Sequence, residues 1–136
     1  MKAVEIVAQY YQAFNDKNWE KMLSLVDENI QHDSNQGETR MGMELFKKFV
    51  DKMDVAYDEK LTDMVIMGES TDTRVAAEFV VNGIYKEAEE GLPAAHGQKY
   101  VLPAGAFLEV KNGKITRVTT YYNLELWIQL VSQQWN

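Results

Sequence analysis

The spacing of apolar residues changes near Tyr57, and that change limits the folds open to this chain. Before it, apolar side chains recur mostly every three to four positions; after it, they alternate over most of the remaining chain. Ala3, Val4, Val7, Tyr10, Tyr11 and Phe14 predict an amphipathic helix of about 13 residues. Asn15-Asp16-Lys17-Asn18 breaks it, with Asn18 placed to cap a shorter second helix carrying Trp19, Met22, Leu23 and Val26. Asn29 to Ser34 reads as a short strand running into the turn Asn35-Gln36-Gly37. From Gly42, residues Leu45, Phe46, Phe49, Val50 and Met53 return to helical period.

Four further strands are expected, the first over Leu61 to Met67 and the second over Arg74 to Tyr85. The second has Val75, Ala77, Phe79 and Val81 on one face, and the mixed set Ala76, Glu78, Val80 and Asn82 on the other. Such a strand belongs to a sheet with one dry face and one turned to a pocket, a partner or water. Glu87 to Gly97, with Gly91 and Pro93, reads as a loop at the sheet's edge. Tyr100 to Val110 and Lys114 to Tyr122 flank Lys111-Asn112-Gly113, a hairpin signal because Asn-Gly accepts positive φ. Leu124, Trp127, Ile128, Val131 and Trp135 predict a closing helix. The expected architecture is one α+β domain over residues 1–136. A curved, mostly antiparallel sheet packs on three N-terminal helices as a cone-like barrel with an internal pocket, and a C-terminal helix follows.

Composition removes several functions. Fourteen Lys and Arg against 21 Asp and Glu give a net charge of −7, which repels nucleic-acid phosphates and anionic bilayers. The absence of cysteine excludes disulfides, thiolate nucleophiles and Cys-based zinc sites. The first twelve residues are interrupted by Glu5 and Gln9, unlike a signal-peptide core, so a cytoplasmic location is expected. Gly37 to Gly42 has phosphate-loop glycine spacing, but Met43-Glu44 follows where Lys and Ser/Thr should be. The two histidines, His32 and His96, lie in different segments, so neither a metal nor another cofactor is expected.

The polar groups suited to acid–base work are Tyr10, Tyr11, the pair His32-Asp33, Glu78, His96 and the run Tyr121-Tyr122-Asn123. Each also has a structural reading: core tyrosines, a turn-forming Asp33, a cross-strand partner at Glu78, a loop histidine at His96. Alternation adds a constraint. In a regular strand His32 and Asp33 point to opposite faces and cannot both enter one pocket.

Tyr10-Tyr11-Gln12-Ala13-Phe14-Asn15, then Trp19 to Val26, Ile30-Gln31-His32-Asp33 and Arg40-Met41-Gly42 resemble the ketosteroid isomerase and SnoaL-like polyketide cyclase group. That group belongs to the nuclear transport factor 2-like superfamily. The resemblance covers the whole chain in element order, and it implies acid–base chemistry beside a carbonyl in an apolar pocket. Asp33, nine positions before Gly42, matches the family's proton-transferring base, and Tyr10, five before Asn15, its oxyanion tyrosine. The second oxyanion acid has no counterpart in Ala104-Gly105-Ala106-Phe107. Losing one such donor costs about 10²–10³ in rate, which points away from steroid isomerisation and toward related carbonyl chemistry. His96, Gln98, Tyr121 or Tyr122 are the candidate replacements.

Two main functions compete. One is an isomerase, cyclase or dehydratase acting on a small apolar carbonyl compound, with Asp33 as base at a modestly raised pKa and Tyr10 as donor to the enolate oxygen. The other is a non-catalytic ligand-binding or dimerisation module of the same fold. An epoxide hydrolase is a third reading, starting from Asp33 with Arg40, Arg74 or Arg117. Trp19 and Phe107 are expected to line the pocket, together with Met22, Phe46, Phe79 and Trp127. A homodimer is expected through the face bearing Glu78, Val80, Asn82 and part of the Thr119 to Tyr122 run.

Overall fold

A computed structural model describes residues 1–35 and 37–132. Trp135, expected on the closing helix, lies outside the described residues. The elements are α1 (Ala3–Asn15), α2 (Trp19–Ser24), β1 (Val26–Asp33), β2 (Thr39–Met41), α3 (Met43–Ala56), β3 (Tyr57–Met67), β4 (Arg74–Tyr85), β5 (Gln98–Lys111), β6 (Lys114–Tyr122) and α4 (Leu124–Ser132). The strands form one six-stranded sheet in the order β2-β1-β6-β5-β4-β3. Every pair is antiparallel except β1 with β6. The sheet is curved but open, with β2 and β3 at its edges.

Local sequence explains the element boundaries. Asn18 caps α2, its side chain accepting from the Lys21 amide at 3.2 Å. Val26, expected on that helix, opens β1 instead, because α2 stops at Ser24. Asn112 and Gly113 turn the β5–β6 hairpin at φ 52° and 77°, as their sequence predicts. Asp72 in the β3–β4 turn accepts from the Ala3 amide at 2.9 Å and satisfies a donor that α1 cannot pair internally.

The inner sheet face and the helices share one core. α1 buries Ala3, Ile6, Val7, Tyr10, Tyr11 and Ala13, while α3 buries Phe46, Val50 and Ala56. β4 alternates as expected, with Val75, Ala77, Phe79 and Val81 buried. Trp127 of α4 packs edge-on against Tyr85 at 4.9 Å and Tyr100 at 5.9 Å, closing one end.

Two cross-strand rows fix the faces. On the outer face Met67, Ala76, Phe107, Thr119, Asp33 and Thr39 stand in register across all six strands. On the inner face Glu59, Gly83 and Tyr100 do so across β3, β4 and β5. Because side chains alternate along a strand, these rows decide which residues can reach the interior.

Candidate functional site

A cavity of about 560 Å³ lies between the inner sheet face and helices α1 and α3, with Leu124 and Trp127 of α4 on its border. That is room for a small organic molecule. Phe14, Met22, Phe46, Phe49, Phe79 and Trp127 make much of the wall apolar. Across the loop 86–97, Glu89, Glu90 and Leu92 also border it. That loop is tied down by Tyr57, whose hydroxyl donates to Glu89 at 2.6 Å, and by Lys52, 3.5 Å from the same carboxylate.

Polar groups inside this wall are unusually short of partners. Among the described residues, the fully buried side-chain atoms without a hydrogen bond are Tyr11 Oη, His32 Nδ1, Ser34 Oγ and Arg40 Nη1. All four residues line the cavity. Buried polar atoms are normally paired, so unpaired atoms on four residues around one void leave hydrogen-bonding capacity there for a ligand or water. His32 and Arg40 are cross-strand partners on β1 and β2. Phe49 sits against both, 4.3 Å from the imidazole and 5.1 Å from the guanidinium carbon, centroid to centroid and carbon to centroid. Burial first, and then the neighbouring Arg40 charge, push the His32 pKa down to about 4 against the pull of Asp33 and Glu38. The imidazole is neutral at pH 7.

Tyr10 and Tyr11 also line the cavity, their rings edge to face at 5.1 Å. Burial raises both hydroxyl pKa values, and Tyr10 adds to the effect at Tyr11. Both are therefore neutral hydrogen-bond donors.

Asp33 corrects the sequence reading. It borders the cavity, but its carboxylate is turned to the outer face, where Thr119 donates at 2.6 Å, Thr39 at 2.8 Å and Gln31 at 3.2 Å. Partial burial pulls its pKa up, but these hydrogen bonds and the Arg117 charge outweigh that, and it lies below the ordinary aspartate value. The expected modest elevation is reversed, and a carboxylate so well paired is a weak base. His32 and Asp33 do point to opposite faces. Nor do the described residues assemble the Asp–Arg–Asp arrangement of the epoxide-hydrolase reading in the cavity. Arg40 instead meets Glu38 at 3.2 Å, and Arg117 is engaged on the outer face by Glu109 and Thr119.

The remaining expectations divide by strand parity. Trp19 and Tyr122 line the cavity. Glu78, Phe107 and Tyr121 do not: they stand on the outer face, with Phe107 50% and Tyr121 55% exposed. Gln98 is buried away from the cavity, its amide donating to the Ala94 and Val131 carbonyls and accepting from the His96 amide. His96 is exposed on the loop 86–97. None of Gln98, His96 and Tyr121 replaces the missing oxyanion acid.

The residues that sequence reasoning missed are Glu59 and Tyr100. Glu59 faces the cavity from β3, and the Tyr100 hydroxyl donates to its Oε2. Alternation of Tyr57, Glu59 and Leu61 on one face was the available signal. No cluster of three or more His, Cys, Asp or Glu suited to a metal ion occurs among the described residues, nor a helix long and apolar enough to cross a membrane.

Comparison with known proteins agrees with this fold. A candidate polyketide cyclase from Pseudomonas putida is 50% identical, with a TM-score of 0.95 over 96% of this chain and 98% of that one. Another from Xanthomonas campestris pv. campestris is 48% identical, with a TM-score of 0.91 over 95% and 96%. A nuclear transport factor 2-like protein of unknown function from Burkholderia pseudomallei shares the fold alone: 13% identity, TM-score 0.80, 97% of this chain and 99% of that one. No curated protein matches. The sequence profile of the SnoaL-like domain matches residues 7–118, and the chain belongs to that family, on a nuclear transport factor 2-like fold.

Proposed function

We propose that this SnoaL-like protein is an enzyme that moves a proton at carbon beside the carbonyl of a small, largely apolar molecule, giving an isomer, a cyclised aldol or a dehydrated product. The observation that carries this reading is the set of orphaned atoms on one apolar cavity: Tyr11 Oη, His32 Nδ1, Ser34 Oγ and Arg40 Nη1. A ligand oxygen entering among these side chains can accept from Tyr11 or Arg40 once they turn toward it, and such bonds strengthen as charge develops on an enolate oxygen. Tyr10 is a further donor. The likeness to candidate polyketide cyclases supports a ketone of aromatic polyketide type. We further propose that two copies of the chain pair through the outer sheet face.

The test uses 2-tetralone, a bicyclic enolisable ketone, in D₂O. Calorimetry reads binding, and proton NMR reads exchange of the hydrogens beside the carbonyl. Saturable binding with exchange faster than buffer supports the reading, and Tyr11→Phe should slow that exchange by about 10-fold or more. Binding without exchange favours the non-catalytic module. The absence of both binding and exchange overturns the proposal.

A further inference from the structure

The β3 wall of the cavity holds a carboxyl group that the oxygen-binding cluster does not use. Glu59, Gly83 and Tyr100 stand in one inner-face row. The Tyr100 side chain lies flat across Gly83: a Cβ built there would come within 2.2 Å of the tyrosine Cζ and 2.4 Å of its hydroxyl. Only glycine leaves that path open. Through it the Tyr100 hydroxyl reaches over a whole strand to donate to Glu59 Oε2, while the Trp127 ring of α4 packs edge-on against the Tyr100 ring at 5.9 Å. Glu59 Oε1 has no hydrogen-bond partner among the described residues, and the residue lines the cavity. That oxygen is not among the fully buried unpaired atoms, so it is open on the cavity wall and placed to meet a ligand's proton.

We propose that Glu59 is the catalytic acid–base residue, taking a proton from the ligand's carbon beside the carbonyl and returning it, with Tyr100, seated over Gly83, as the positioning residue. This rests on the reading of the cavity as a site of carbonyl chemistry. In the step, Glu59 carboxylate takes the C–H proton, the C–H electron pair becomes the enolate C=C, and the carbonyl π pair moves onto oxygen, toward Tyr11 and Arg40. The neutral Glu59 then gives the proton to a second carbon, or to a leaving hydroxyl that departs as water. Neither route consumes an oxidant or a reductant.

The electrostatic setting suits a proton carrier. Lys17 reaches in from the α1–α2 turn, donating to the Glu59 carbonyl at 3.4 Å while paired with Asp58 at 2.8 Å. Tyr100 faces the carboxyl from β5, and Tyr57 lies near Tyr100 on the same wall. Burial raises the Glu59 pKa, Tyr100 and Lys17 pull it back, Asp58 adds to the rise, and the balance stays above the ordinary glutamate value. A base with raised proton affinity accepts from carbon more readily than a free carboxylate.

The test extends the 2-tetralone exchange assay to Glu59→Gln and Tyr100→Phe. Glu59→Gln should bind 2-tetralone within about threefold of wild type and slow exchange by about 100-fold or more. Tyr100→Phe should lower kcat with little change in KM and move the midpoint of the pH–rate profile upward, because the hydrogen bond it removes lowers the Glu59 pKa. A merely structural tyrosine would not move that midpoint. Exchange by Glu59→Gln within about threefold of wild type overturns the inference and leaves the proposed function standing. If Glu59→Gln does not fold, Tyr100→Phe decides, and an unmoved midpoint overturns the inference. Wild-type protein that exchanges no proton of 2-tetralone overturns the proposed function, and this inference with it.

Discussion

Asn15 pairs with Leu61 as a strand residue would, although it ends a helix. Its side-chain oxygen accepts from the Leu61 amide at 2.8 Å, and its side-chain nitrogen donates to the Leu61 carbonyl at 2.9 Å. β3 is an edge strand, so these outward-facing groups have no neighbouring strand to pair with. One side chain satisfies both and fixes the end of α1 to the strand carrying Glu59.

Asn15→Ala leaves that donor and acceptor unpaired, so urea unfolding should show a loss of about 1–3 kcal/mol. Asn15→Asp still accepts from the amide but cannot donate to the carbonyl, and should fall between the two. Equal stability of wild type and Asn15→Ala would show that water replaces the side chain at no cost.

Asp33→Asn separates a structural carboxylate from a catalytic one. The depressed pKa means that its contribution to stability is present above the ordinary aspartate range and lost as pH falls through the folded value. At neutral pH the amide loses charge-assisted bonds from Thr119, Thr39 and Gln31, at a cost of about 1 kcal/mol on this partly open face. Exchange of 2-tetralone should persist. Loss of exchange with stability unchanged would return the base role to Asp33.

Much of the fold was legible because it rests on periodicity. The switch near Tyr57, the Asn112-Gly113 turn and the dry face of β4 follow from side-chain spacing that tertiary packing does not override. The site was less legible, for reasons of parity. Phe107 is aromatic and was expected inside, but it shares its face with Glu109, while Ala106 and Leu108 take the core positions. The expected strand, beginning at Leu61, left out the charged run Asp58-Glu59-Lys60, although β3 starts four residues earlier, at Tyr57. That reading hid Glu59. The three-residue β2 was missed as well, since Thr39–Met41 carries too little pattern to separate a strand from a turn. Nothing local could reveal that Tyr100 crosses Gly83, which depends on the register of three strands.

His32 should impose an acid limit on the fold. Its folded pKa of about 4 lies below the unfolded value of 6.5, so the folded state binds fewer protons between them. Stability is unaffected above pH 6.5 and falls as pH drops toward 4, by at most roughly 3 kcal/mol. His32→Leu, which keeps an apolar neighbour for Phe46 and Phe49, removes this term. The difference in unfolding free energy between variant and wild type, followed from pH 7.5 to about 4.5, should shift in the variant's favour on acidification. A pH-independent difference would mean that His32 titrates normally.

The outer sheet face is expected to hold the chain as a homodimer. Its row from Met67 through Ala76 and Phe107 to Thr119 is flanked by the parallel row Val65, Glu78, Gly105 and Tyr121. Met67, Val65, Phe107 and Tyr121 are 48–55% exposed, and Phe107 meets Tyr121 edge-on at 6.0 Å. An apolar, aromatic patch that includes Glu78 and is edged by Glu109, Arg117 and Asp33 matches the anatomy of a protein interface better than that of a solvated surface. Light scattering at micromolar concentration should therefore give the mass of two chains. Phe107→Glu puts a charge at the centre of the patch without touching the cavity, so it should yield monomers that still exchange 2-tetralone. A monomeric wild type would overturn the dimer, and an unaltered dimer in Phe107→Glu would move the interface off this face.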